Sequence, residues 1–226
     1  MEREHGANNY GRDVARSPIL FDRRERAFYI SKPRLAPEDV VATRFARVLE
    51  EAGVGYAVVA GYVAILFGRA RRSDDIDFIL NGVDEGVFVE LCEAARRAGF
   101  GLMQGNIGSE NSIRSLYRGY LARGHAVRFV YLDIIIPNVE AKLARTRAHR
   151  HAVVNSVRVV VNHEHIIRIS PIELQIAYKL YLGSDKDLGD AIFLYTLLKE
   201  HISTEELHRW CRELSADCSL LEAGKA

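Results

Sequence analysis

The feature that most constrains this chain is a change of pattern at Ile169. Before it, short β-branched or alternating runs are separated by amphipathic helical stretches; after it, only helical patterns follow. Segments in that order build neither an all-helical bundle nor an all-β sandwich. They predict an α+β fold, a small mixed β-sheet packed against helices with an α-helical C-terminal section. The matching division is an N-terminal arm over 1–35, a core over 36–169 and a helical section over 170–226. With 226 residues, 48% of them hydrophobic, the chain can bury a sizeable core.

Local signals place the elements. Pro37, followed by Glu38 and Asp39, starts a helix whose apolar face carries Val41, Phe45, Val48 and Leu49 and which stops at Gly53. Residues 56–60 read as a strand, and Gly61 opens a short helix ending near Gly68. A strand over 75–80 turns at Asn81-Gly82, and an amphipathic helix follows over 85–98. The glycine-, serine- and arginine-rich segment 101–124 reads mostly as loop. Residues 126–136 form the strongest strand pattern, followed by a helix over 139–147 and β-branched runs over 157–161 and 166–169. Ser170-Pro171-Ile172-Glu173 has the form of a capping box, and Ser203 with Glu206 repeats it.

Charge and cysteines narrow the function classes. Lysine plus arginine number 31 and aspartate plus glutamate 30, a net charge of +1 that excludes a strongly basic nucleic-acid binder. Local clusters persist, as at Arg69, Arg71 and Arg72 or at Arg145, Arg147 and Arg150. Cys92, Cys211 and Cys218 lack zinc spacing. Cys92 and Cys211 fall in helical stretches, where a buried free thiol is the ordinary reading, and a reducing, cytoplasmic setting follows. The polar N-terminus lacks the apolar core of a signal peptide. The longest apolar stretch, over 58–67, is about half of the ~20 residues a membrane helix needs, so no membrane association is expected.

Arg72-Ser73-Asp74-Asp75-Ile76-Asp77-Phe78 is the informative segment. On a strand, residues two apart share a face, so Asp75 and Asp77 project side by side while Asp74 points away. Two carboxylates that close repel unless a cation sits between them, and Mg²⁺ favours carboxylate and phosphate oxygens. The ordinary alternative is a solvated acid pair. Asp133 lies within the hydrophobic run 127–136, where an unpaired charge would be costly to bury. A metal shared with Asp75 and Asp77 is one solution; a salt bridge to an arginine is the other. Gly61 before a short helix offers backbone N–H groups to a phosphate, and Arg69, Arg71 and Arg72 offer charge. His149 with His151, and His163 with His165, lack further ligands at zinc spacing and read as surface histidines. Trp210 and the tyrosines of 178–195 read as core.

Gly61-Tyr62, a short helix, Arg72-Ser73 and Asp75-Ile76-Asp77-Phe78, with Asp133 later, together resemble the signature of the polymerase-beta nucleotidyltransferase superfamily. Ser170-Pro171-Ile172-Glu173-Leu174, Lys179, Lys186-Asp187 and Asp190 are similar to the C-terminal motif of its small prokaryotic branch. That branch holds abortive-infection toxin nucleotidyltransferases and related uncharacterised archaeal proteins. The resemblance spans about residues 40–200 and departs at Tyr62, where the family usually carries glycine or serine. It implies the nucleotidyltransferase fold, Mg²⁺ or Mn²⁺ as cofactor, and transfer of a nucleoside monophosphate from an NTP to an acceptor (RNA, protein or small molecule). In that scheme two metals about 4 Å apart clamp the reacting oxygens, with Asp75, Asp77 and Asp133 as metal-binding and catalytic residues. Gly61, Tyr62, Arg72, Ser73, Lys179, Lys186, Asp187 and Asp190 would contact the nucleotide, and a toxin–antitoxin-like role is implied. The alternative is a catalytically silent nucleotide- or RNA-binding module on the same fold. Neither a Walker loop nor a kinase signature is present. The acceptor and the oligomeric state stay open.

Overall fold

A computed structural model of the protein describes residues 19–104 and 109–223. Residues 1–18 of the arm expected over 1–35, part of the 101–124 segment (105–108) and the last three residues lie outside the described residues. The nine strands described form one mixed sheet in the order β1 (Ile19–Asp22), β2 (Ala27–Ile30), β8 (Val157–Val161), β9 (His165–Ile169), β3 (Gly55–Val59), β4 (Asp75–Asn81), β7 (Ile134–Leu143), β6 (Val127–Tyr131) and β5 (Phe100–Leu102). This sheet is larger than the sequence suggested. Two strands come from the segment read as an arm: β1 and β2 form an antiparallel hairpin, and β2 continues the sheet in parallel beside β8.

At the centre, β4 runs antiparallel to β3 and parallel to β7. Ile76, Phe78 and Leu80 of β4 are buried and alternate with Asp75, Asp77 and Ile79, so the strand presents two different faces. On the first face lies α1 (Pro37–Glu51). Its Phe45 ring stands 5.1 Å from Phe78, 5.3 Å from Phe100 and 5.0 Å from Phe129, an aromatic cluster joining β4, β5 and β6. On the second face lie α5 (Arg147–Val154) and α6 (Ile172–Leu182), which border a cleft floored by Asp77 and Ile79. The short α2 (Gly61–Leu66) packs on α7 (Asp185–Leu198), and α6 packs on both α7 and α8 (Thr204–Leu214).

Several local expectations are corrected. The run 126–136 is not one strand: β6 ends at Tyr131, Leu132 and Asp133 form a turn, and β7 begins at Ile134. The expected helix over 139–147 is the second half of β7. Val139 and Ala141 are buried in the sheet while Glu140 and Lys142 point to the cleft face, a period of two that overrides a helical reading. The helix comes later, as α5, capped by the Thr146 hydroxyl accepting from His149 N. The helix expected over 85–98 is α3 (Glu85–Arg97), whereas the segment 101–124, read mostly as loop, holds the end of β5 and α4 (Glu110–Gly119), which starts at the Ser109 cap and buries Ile113 and Leu116. Ser170 and Glu173 form no capping box. Ser170 Oγ donates to Gln175, and the Glu173 carboxylate accepts from Ser203 N, tying α6 to the start of α8. Ser203 does cap α8, accepting from Glu206 N.

Cys211 and Cys218 are joined in a disulfide with Cα atoms 6.1 Å apart, so Cys211 is not the free thiol expected from its helical position. Of the two cysteines expected as free thiols, only Cys92 is one. Cys92 is free and buried, and burial pushes its thiol up to about 12. Among the described residues no helix is long and apolar enough to cross a membrane.

Candidate active site

The site is built on the end of β4. Register sets its geometry: Asp77 is paired with Val59 of β3 on one side and with Glu140 of β7 on the other, while Asp75 is paired with Asn138. The chain therefore leaves β3 and turns into α2, at Ala60-Gly61, beside the acid pair. Asp75 and Asp77 share a face, and Glu140 projects from the adjacent strand level with Asp77.

Glu140 is the carboxylate that the sequence reading missed, because 139–147 had been assigned to a helix. Its signal was Val139-Glu140-Ala141, an acid between two core residues in the same pattern as Ile76-Asp77-Phe78. Asp133, the expected third carboxylate, is exposed in the β6–β7 turn and accepts a hydrogen bond of 2.7 Å from the Tyr131 hydroxyl. It needs no buried partner. The single long strand that would have carried it inward is interrupted before reaching it.

The electrostatics centre on Asp77. Burial pushes its carboxyl above the ordinary range, Asp75 and Glu140 add to that, and Lys142 only partly offsets it. Lys142 Nζ lies 3.0 Å from Asp77 Oδ1 and 3.1 Å from Glu140 Oε2. These two carboxylates keep the lysine protonated against its partial burial. Burial raises Glu140 too, but Arg128, whose Nε donates 2.7 Å to Oε1, and Lys142 outweigh it and hold the group below its ordinary value.

These oxygens suit a hard divalent cation, and an ammonium already occupies a cation position between two of them. As the side chains stand, no three acidic, histidine or cysteine groups converge closely enough to enclose a metal among the described residues. The donor chemistry of Asp75, Asp77 and Glu140 is that of a hard-cation site, with Lys142 in the cation position.

The cleft above Asp77 is walled by Val59 and Ala60, by Ala148, His149 and Ala152 of α5, and by Leu174, Gln175 and Tyr178 of α6. Its cavity volume is about 230 Å³. His149 and Tyr178 thus stand in the site, although sequence patterning placed one at the surface and the other in the core. Burial, helped by the Lys142 charge, lowers the His149 pKa and keeps the ring neutral near pH 7. His151 instead packs on buried Trp210, with ring centroids 4.8 Å apart.

Ala60 carries the backbone strain of the site, with φ 61° and ψ −137° in a region that favours glycine. Gln175, itself buried, clamps that conformation by accepting from Ala60 N and donating 2.7 Å to Ala60 O. The special residue of this turn is thus Ala60. Tyr62 is turned away from the cleft, and its buried hydroxyl donates 2.9 Å to Asp39 Oδ1. Gly61 leaves room for Arg71, which lies across it: a Cβ there would meet Arg71 Nη2 at 2.6 Å and displace the guanidinium.

Apart from Lys186, the other expected cations are already engaged by the protein. Asp190, fully buried, receives Arg71 at 2.7 Å, Arg69 at 2.8 Å and Lys179 at 2.8 Å. Burial alone would raise its pKa, but Arg71 and Lys179 carry it below the ordinary carboxylate range. Lys179 also reaches Asp187 at 2.7 Å and is 1% exposed, so it locks α6 to α7 and is not presented to a ligand. Arg72 pairs with buried Glu38 at 2.7 Å, Ser73 is half-buried, and Lys186 is exposed on α7.

No protein-family model matches the chain, and no curated protein matches it. Solved structures do. The solution structure of the antibiotic-resistance factor ANT(2'')-Ia matches with a TM-score of 0.50 at 14% identity, over 82% of this chain and 95% of that one. The chain has the nucleotidyltransferase fold. Weaker likenesses are to an antigenic nucleotidyltransferase-like protein from Paracoccidioides brasiliensis and to a tRNA nucleotidyltransferase solved with a primer tRNA and an ATP analogue. The first has TM-score 0.48 and 16% identity over 83% and 92% of the two chains; the second has 0.30 and 16% over 79% and 58%. At these identities the likeness is one of fold.

Proposed function

We propose that this protein transfers a nucleoside monophosphate from an NTP to an acceptor hydroxyl in a divalent-metal-dependent reaction. The observation that carries this is the placing of Asp75, Asp77 and Glu140 on one face of paired central strands, with Asp77 at the floor of the cleft, in a chain with the nucleotidyltransferase fold. Asp75, Asp77 and Glu140 are the residues to hold Mg²⁺ or Mn²⁺. The ion, when bound, would neutralise phosphate charge and stabilise the attacking and leaving oxygens. Asp77, pushed up by burial and its acidic neighbours, gains most from a cation. Arg128 fixes the Glu140 carboxylate from the strand behind it. Val59, Ala148, Ala152 and Leu174 exclude water from one side of the cleft, and Tyr178 and neutral His149 supply flat rings for a base or ribose.

One observation favours the alternative of a silent nucleotide- or RNA-binding module: an ammonium already satisfies Asp77 and Glu140. Incubation with α-labelled NTPs, Mg²⁺ or Mn²⁺ and a cell extract separates the two readings. Wild-type protein should label an acceptor, and Asp77→Ala, melting cooperatively, should not. Labelling that survives in Asp77→Ala removes the acid cluster from the chemistry; NTP binding that yields no labelled product in the wild type favours the silent module.

A further inference from the structure

Lys142 stands where the carboxylates converge. It follows Glu140 by two residues on the same face of β7, and it is paired across the sheet with Ile79, two residues beyond Asp77. From there its ammonium reaches back to both acids, 3.0 Å from one and 3.1 Å from the other. Asp77 has no other ion-pair partner among the described residues, and Glu140 Oε1 is already taken by Arg128. Lys142 therefore holds Asp77 Oδ1 and Glu140 Oε2, the pair of oxygens through which the two carboxylates could share one cation.

A divalent cation bridging Asp77 and Glu140 would need those same oxygens. Two cations could not share them, because charges about 3 Å apart in a partly desolvated site repel by several kcal/mol. Lys142 is also free to leave: its side chain is 36% exposed and borders the cleft, against 18% for Asp77 and 9% for Glu140. A flexible four-carbon stem can lift the ammonium into the cleft without disturbing β7.

We propose that Lys142 is a resident counter-ion that competes with the divalent metal for Asp77 and Glu140, so that the metal enters only as the ammonium leaves. This rests on the reading of the acid cluster as a metal site. Without metal, Lys142 relieves repulsion between Asp77 and Glu140. Once released, it stays on the cleft wall with its charge facing the space an anionic substrate would fill. Metal affinity is thereby held low until a second anion is present to receive the lysine.

Binding of Mn²⁺ to the full chain without nucleotide, followed by the resonance of the free ion, tests this directly. Lys142→Met and Lys142→Gln should bind Mn²⁺ at least about tenfold more tightly than the wild type, a difference of about 1.4 kcal/mol. Lys142→Arg, which keeps the charge, should remain near the wild-type affinity, and adding Asp77→Asn to Lys142→Met should abolish the gain. A thermal melt of each variant establishes folding, and Lys142→Gln decides the matter if the methionine variant does not fold. Wild-type binding with no gain in the neutral variants overturns the competition and leaves the metal site standing. Absence of Mn²⁺ binding in every variant at millimolar concentrations overturns both.

Discussion

At the scale of single residues, the site turns on which third carboxylate joins the β4 pair. Asp133 and Glu140 lie seven positions apart in sequence, but a turn separates their environments. Asp133 is exposed and bonded to the Tyr131 hydroxyl; Glu140 is buried, in register with Asp77, and acts on it electrostatically. Glu140→Gln keeps shape and hydrogen bonding but removes the charge, and should reduce nucleotidyl transfer by at least about a hundredfold. Asp133→Asn should leave it within about twofold, as expected of an exposed position away from the chemistry. Rates of label incorporation at saturating NTP and metal measure both, and equal losses in the two variants would undo this assignment. Asp75 and Asp77 were legible because alternation with Ile76 and Phe78 is a local property. Glu140 was hidden because its alternation, with Val139 and Ala141, follows a proline and an asparagine that imitate the start of a helix.

At the scale of elements, the Asp190 cluster fastens α7 to α6 and to the segment between α2 and β4. Three cations, Arg69, Arg71 and Lys179, share one fully buried carboxylate, and Gly189 lacks the Cβ that would obstruct Arg69. Asp190→Asn would leave three cations facing a neutral amide and should cost about 3–5 kcal/mol in urea unfolding. Lys179→Met should cost less, about 1–2 kcal/mol. Asp190 would keep two guanidiniums, and Asp187 would keep its contacts with Ser184. If Lys179→Met proved the more damaging, the lysine and not the aspartate would be the centre of the cluster. Lys179, Asp187 and Asp190 group together in the sequence through their resemblance to the C-terminal motif of the nucleotidyltransferase branch. The sequence did not show whether they face a ligand or one another, because that depends on Arg69 and Arg71 arriving from a segment more than a hundred residues earlier. The same limit applies to α4 and β7. Ser109 and the buried Ile113 and Leu116 overrode a loop-like composition, and the partners of β7 on both sides overrode a helical one.

For the whole molecule, the ionisable groups that folding perturbs divide the pH scale into two windows. Burial lowers His149 and His151 from 6.5, so the unfolded chain binds protons more readily than the folded one just below that value. Their contribution is complete above pH 6.5 and is lost as pH falls through the folded pKa values. Glu140, Asp187 and Asp190 sit below their ordinary 4.5, 3.8 and 3.8, so their share is lost only in stronger acid. Asp77 works the other way. Its raised pKa means that the fold takes up a proton before the unfolded chain does, which favours the fold as the pH falls and penalises it when the carboxylate is charged. The urea midpoint should therefore hold steady down to about pH 6.5, drop as the pH falls further, and drop again below about pH 4. His149→Asn combined with His151→Asn should remove the first drop alone. Asp77→Asn should raise the midpoint at neutral pH, because a neutral side chain replaces a buried carboxylate that Lys142 only partly satisfies. A neutral-pH midpoint lowered by Asp77→Asn would mean that the Lys142 ion pair outweighs burial. The acid cluster would then contribute to stability as well as to chemistry.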